Sequence, residues 1–130
     1  PSTIKHRPIE DTIKEQKNQE IFEIKTKSYK AKMYESDQGY IVIKGSEAKK
    51  VLSNSTTDTY RNLRRKLIET NILVDKGDMF EFTEDAVFSS PSAASSMVLG
   101  RNSNGFAEWV TGKGLTFKQV QEILNRVVAT

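Results

Sequence analysis

Asp11 and the triplet Glu23-Ile24-Lys25 come closest to a catalytic pattern in this chain. Metal-dependent nucleases use acidic side chains to hold magnesium and a lysine near the attacking water. Three-residue patterns also arise by chance, and in an alternating strand Glu23 and Lys25 point away from Ile24. The preferred reading makes both charges the solvent face of an edge strand. Cysteine is absent, and the single histidine, His6, sits in a polar opening stretch. That composition excludes thiol nucleophiles, disulfide scaffolds, Cys-rich zinc sites and triads built on a core histidine. A non-catalytic chain with no cofactor and no metal is expected.

The charge pattern suggests a binding role instead. The net charge is only +3, but it is unevenly spread. Ser36 to Lys66 holds seven basic and three acidic residues, whereas Leu67 to Ser90 holds one basic and six acidic. A polyanion prefers the first region and avoids the second; alternatively, the two attract each other within the fold. Arg61 and Arg65 stand one helical turn apart and are assigned to solvent or nucleic acid. Arg64 projects toward the apolar side and calls for a partner, with Asp78, Glu81 or Glu84 favoured over a phosphate. Ser90-Pro91-Ser92 opens a helix: it is either a well-made cap or an anion site at the positive end of the helix dipole. Arg101, Asn102 and Asn104 can hydrogen-bond bases or phosphates from a loop, although Asn104-Gly105 most often marks a turn with positive φ, which alone accounts for it. Trp109, the only tryptophan, is read as core in preference to a base-stacking platform. The candidate nucleic-acid contacts are Lys44, Ser46, Arg61, Arg65, Ser90, Ser92, Arg101, Asn102 and Asn104.

These residues need a scaffold, and the hydrophobic pattern supplies one. Residues 1–19 are polar and read as a linker or the tail of a preceding domain, with Ile9, Ile13 and Lys17 a thin helical signal. Residues 20–130 read as one α+β domain. Ile21 to Lys25 alternates as a strand, and Tyr29 to Tyr34 and Tyr40 to Lys44 form a hairpin around Ser36-Asp37-Gln38-Gly39. A helix is expected from Asp58 to Thr70, capped by Thr57 or Asp58, with Asn71 left-handed at its end. Ile72 to Val74 and Met79 to Phe82 follow as a second sheet segment. A helix from Ser90 to Gly100 comes next, then a return to the sheet from Phe106 to Val110. The last helix runs from Thr116, with Val120, Ile123, Leu124 and Val127 as its stripe. The sum is a small antiparallel sheet with about three packed helices. No apolar run is long enough to span a bilayer, and the lack of cysteine fits a reducing cytoplasm.

Several motifs together carry a family likeness. Gly39-Tyr40-Ile41-Val42-Ile43-Lys44-Gly45-Ser46, Phe88-Ser89-Ser90-Pro91-Ser92-Ala93-Ala94 and Gly100-Arg101-Asn102-Ser103-Asn104-Gly105 precede Trp109. In this order they resemble an uncharacterised domain found C-terminal to GIY-YIG nuclease domains. The later part also resembles the RAMA domain, associated with restriction enzymes and adenine methylases and proposed to read modified DNA. Ser95 stands where a third alanine is usual, and Phe106 where a tryptophan is common. Gly39-Tyr40-Ile41 is not itself the nuclease signature, because its second element and the Arg and Glu pair are missing. The resemblance implies a non-catalytic DNA-binding accessory module. Its partners would be DNA and a preceding catalytic domain of the same chain, a nuclease or methylase. A protein–protein docking module is the alternative, and a metal-dependent nuclease domain a more distant one.

Overall fold

The computed structural model describes residues 20–129, in an α+β arrangement of two antiparallel sheets and four helices. His6, Asp11 and the helical signal at Ile9, Ile13 and Lys17 lie outside the described residues. The first sheet has the order β1 (Phe22–Lys25), β2 (Lys30–Ser36), β3 (Gly39–Val42) and β7 (Ala86–Phe88). The second has the order β4 (Glu47–Lys49), β6 (Met79–Phe82) and β5 (Leu73–Asp75). The expected hairpin is present, with Met33 opposite Val42 and Ser36 opposite Gly39. Alternation sends Phe22, Ile24, Ala31, Met33 and Val42 into the core and leaves Lys25, Lys30 and Lys32 outside.

Helix α1 (Asp58–Glu69) follows an extended Thr57, and Asn71 adopts a positive φ of 63° just beyond its end. Helix α2 (Pro91–Leu99) is small or apolar on every side, which is the pattern of a buried helix. All its residues except Ser92 are buried, and it packs against β3, β4, β7 and α1. Helix α4 (Phe117–Ala129) starts on Phe117, whose ring meets Phe22 at 4.9 Å, Tyr40 at 5.8 Å and Phe106 at 5.4 Å. Only the first part of its stripe is covered: Val120 and Leu124 are half-buried, while Ile123 is 42% exposed.

One sequence expectation fails, and two strands answer to none. Phe106 to Val110 does not return to a sheet. Gly105–Glu108 forms the short helix α3, because the Asn104 side-chain Oδ1 accepts from the Phe106 N–H and caps a helical turn. Val110 then makes only isolated bridges, to Glu23 and to Thr116. Strands β4 and β7 have no counterpart in the sequence reading, since three residues are too few to show a period.

Candidate functional site

Most of the residues singled out by their motifs are engaged inside the fold. The Ser90 Oγ accepts from the Ala93 N–H at 3.0 Å, so it is a helix cap. The Ser92 Oγ accepts from the Gly105 N–H at 2.9 Å, and the Pro91 carbonyl accepts from the Trp109 indole N–H at 3.0 Å. Gly105 lies so close that a Cβ there would come within 2.1 Å of the Pro91 backbone. Helix α3 therefore covers the N-terminal end of α2, the candidate anion site, and the Ser90 and Ser92 hydroxyls face protein. Trp109 is fully buried, as its core reading required.

The loop after α2 is bound just as tightly. Gly100 is left-handed at φ 71°, and a Cβ there would meet the Val51 carbonyl oxygen at 2.7 Å, which leaves glycine as the residue that fits. Ser95 and Ser103 hydroxyls meet at 2.6 Å, and the Ser103 N–H donates to the Ser96 Oγ. Asn102 spans to the loop before α1: its Oδ1 accepts from the Thr57 N–H, and its Nδ2 donates to the Ser55 carbonyl. Asn104 caps α3, and Arg101 pairs with Glu108 at 3.3 Å. Ser46 is buried and bonds Lys32 twice, accepting from its N–H and donating to its carbonyl. It thus closes the edge of β2 where the chain leaves for the second sheet.

The arginines of α1 depart further from expectation. Arg61 does not face solvent freely. Its guanidinium donates to the carbonyls of Thr56, Ser53 and Asn54 at 3.0, 2.9 and 3.0 Å, tying down the preceding loop. Arg64 is 2% exposed and has no acidic partner among the described residues. It donates to the carbonyls of Lys50 and Met97 and lies 5.4 Å over the Phe80 ring. Asp78 and Glu84 belong to exposed surface and Glu81 pairs with Lys76, so the buried helix end, not an acid, supplies the acceptor. A cation near the C-terminal end of α2 suits its dipole. Burial pulls the Arg64 pKa down to about 10. Arg65 remains exposed, bonded only to the neighbouring Asn62.

Positive charge collects elsewhere. Three shallow grooves of about 300, 470 and 320 Å³ adjoin through shared lining residues around the β1–β2 turn. Seven lysines line them (Lys25, Lys27, Lys30, Lys32, Lys44, Lys49 and Lys50) against two carboxylates, Glu47 and Asp78. Six of the lysines are exposed; Lys50 is half-buried and pairs with Asp75 at 2.9 Å. Lys25 sits directly opposite Lys30 across the strands, an arrangement that costs stability through like-charge repulsion. The turn is held by Thr26, whose Oγ1 accepts from the N–H groups of Ser28 and Tyr29 and donates to the Tyr29 carbonyl. Tyr29 is a half-buried wall of two grooves; desolvation raises its pKa, against the pull of Arg101 and Arg64, so its hydroxyl is neutral at pH 7.

Of the residues expected to touch nucleic acid, Lys44 and Ser46 line these grooves, Lys44 as an exposed cation and Ser46 as a buried hydroxyl bonded to Lys32. Lys27, Lys30 and Lys32 each look unremarkable alone, and Lys25 stands out in the sequence only as part of the Glu23-Ile24-Lys25 triplet. The signal was available in the alternation of β2, which puts Lys30 and Lys32 together opposite Ala31 and Met33. The half-buried Glu23 and the exposed Lys25 form a pair at 3.7 Å, and no cluster of three His, Cys, Asp or Glu fit to hold a metal occurs among the described residues. No helix among them is long and apolar enough to cross a membrane.

These features define a small α+β domain whose polar motifs fasten a buried helix and whose cations gather at one hairpin. The chain belongs to the family described as Domain of unknown function (DUF4357), whose model matches residues 22–121. No curated protein and no solved structure is significantly similar to it.

Proposed function

We propose that this domain is a non-catalytic accessory module that holds nucleic acid by its phosphates at the lysine-lined grooves around the β1–β2 turn. The observation that carries the reading is seven lysines against two carboxylates on three adjoining grooves. Flexible ammonium groups on shallow surfaces suit a phosphate backbone, which rewards cation density without demanding fixed geometry. Tyr34 lies on the same face of β2 as Lys30 and Lys32 and adds a ring on which a base can stack. The motif resemblance to the domain following GIY-YIG nucleases, and to the RAMA domain, supports DNA as the nucleic acid. It also supports a catalytic domain elsewhere in the same chain, of nuclease or restriction-modification type.

A protein-docking reading has one observation in its favour. Tyr34, Ile41 and Val87 lie abreast on three strands, and Val87 is 52% exposed. Mapping amide shifts on adding a short DNA duplex separates the two readings. Shifts at Thr26 to Lys32 and at Lys44 support the phosphate reading. Silence there rejects it.

A further inference from the structure

A second groove lies between α1 and the second sheet, on the far side of Lys50 from the lysine surface. It encloses about 490 Å³, and its apolar floor is made by Leu52, Ile68 and Phe80. That volume falls in the range of small-molecule sites. Arg61, Arg64 and Arg65 surround the floor, and Glu69 is the only acid in the lining.

The charges of these arginines are not cancelled. Arg61 and Arg64 bond only to neutral backbone carbonyls, and Arg65 only to the neutral Asn62 side chain. Lys50, the remaining cation, is matched by Asp75. Carbonyl dipoles solvate a guanidinium but leave its field intact, and that field extends into the groove. The Arg64 Nε is buried and has no hydrogen-bond partner, so this cation is incompletely satisfied. Bringing an anion beside it offsets the cost of burying an unpaired charge. Arg65 is exposed and keeps most of its donor fork open, in the form that grips a tetrahedral oxyanion through two parallel hydrogen bonds.

We infer that this groove binds a planar ring carrying a phosphate, the chemistry of a nucleoside monophosphate. The ring lies on Leu52, Ile68 and Phe80, and the phosphate faces Arg65 within the field of Arg61 and Arg64. The inference does not rest on the lysine surface, since the two share only Lys50. Such a group can arrive as a free nucleotide or as the unpaired end of a strand.

The test is a methyl-shift titration of these 130 residues, following Leu52 and Ile68. The probes are deoxyadenosine monophosphate, deoxyadenosine, inorganic phosphate and a short 5′-phosphorylated single strand. Deoxyadenosine monophosphate is expected to bind at least about tenfold more tightly than deoxyadenosine or phosphate, since ring and charge contribute together. Arg65→Ala should weaken it by about tenfold, whereas the combined Lys27→Gln, Lys30→Gln and Lys32→Gln variant should leave it unchanged. A strand that binds these methyls more tightly than the free nucleotide identifies a strand end as the source; the reverse order identifies a free nucleotide. The inference is overturned if the methyls stay silent to every probe up to about 10 mM. Inorganic phosphate matching the nucleotide, or Arg65→Ala having no effect, overturns it equally.

Discussion

In the segment from Ser90 to Trp109, nearly every polar side chain ends on another part of the chain. Ser90, Ser92, Ser95, Asn102 and Asn104 each have an internal partner, and the indole of Trp109 closes on Pro91. Around the β1–β2 turn the side chains of Lys25, Lys27, Lys30 and Lys32 end in solvent, apart from the Lys25 contact with Glu23. The first region holds a buried helix and a tight loop in one geometry, which requires particular residue types at particular places. The second presents charge, and many residue orders present charge equally well. Hydrogen-bonding residue types at tight spacing can therefore mark where a small fold is fastened. They need not mark where it touches its partner.

That contrast can be broken most severely at Gly105. A methyl group there would collide with the Pro91 backbone, so neither α3 nor the N-terminal end of α2 can keep its place. Gly105→Ala is expected to cost more than about 4 kcal/mol, or to prevent folding, as read by chemical denaturation. Little loss would mean that α3 is not seated on α2. Next comes Arg64→Leu, which leaves the carbonyls of Lys50 and Met97 without donors. It should cost about 3 kcal/mol, the unpaired carbonyls outweighing relief from burying a charge. A neutral or stabilising result would show that the guanidinium is retained for its charge alone.

The smallest effect concerns acid stability. The Gly77 N–H and Lys50 hold the Asp75 carboxylate below its ordinary pKa of 3.8. A carboxylate with a depressed folded pKa contributes stability above 3.8 that is lost as pH falls through the folded value. Asp75→Asn should therefore lower stability slightly above pH 3.8 and converge on wild type as pH falls through the folded pKa, which flattens the acid limb of the pH–stability curve. A mutant curve parallel to wild type throughout would remove Asp75 from that limb.

The sheet hairpin, α1, α2 and the burial of Trp109 were legible because long periodic stretches and Ser-Pro and Gly caps act locally. The helical turn at Gly105 was not, because Asn-Gly also suits a tight turn and only contact with Pro91 decides between them. Arg61 was misplaced for a similar reason: its spacing on α1 said nothing about a preceding loop that folds back to offer three carbonyls. Arg64 was correctly seen to need a partner, but that partner is a backbone carbonyl 33 residues away, which no pattern of charges announces. The lysine surface draws on β1, β2, the turn between them, β4 and the residues on either side of β4, so it exists only once the sheets are assembled.

Phosphate binding at the lysine surface is tested most directly by a salt titration of DNA-duplex affinity. Wild type is compared with the combined Lys27→Gln, Lys30→Gln and Lys32→Gln variant, whose exposed positions leave the fold intact. Wild-type affinity should be no better than roughly micromolar at physiological salt and should fall steeply as salt rises, through counterion release. Losing three phosphate contacts should flatten the log–log slope by roughly 2–3 and weaken binding throughout. Identical curves for the two proteins, or no binding even at low salt, would contradict the account and favour the docking of a protein partner.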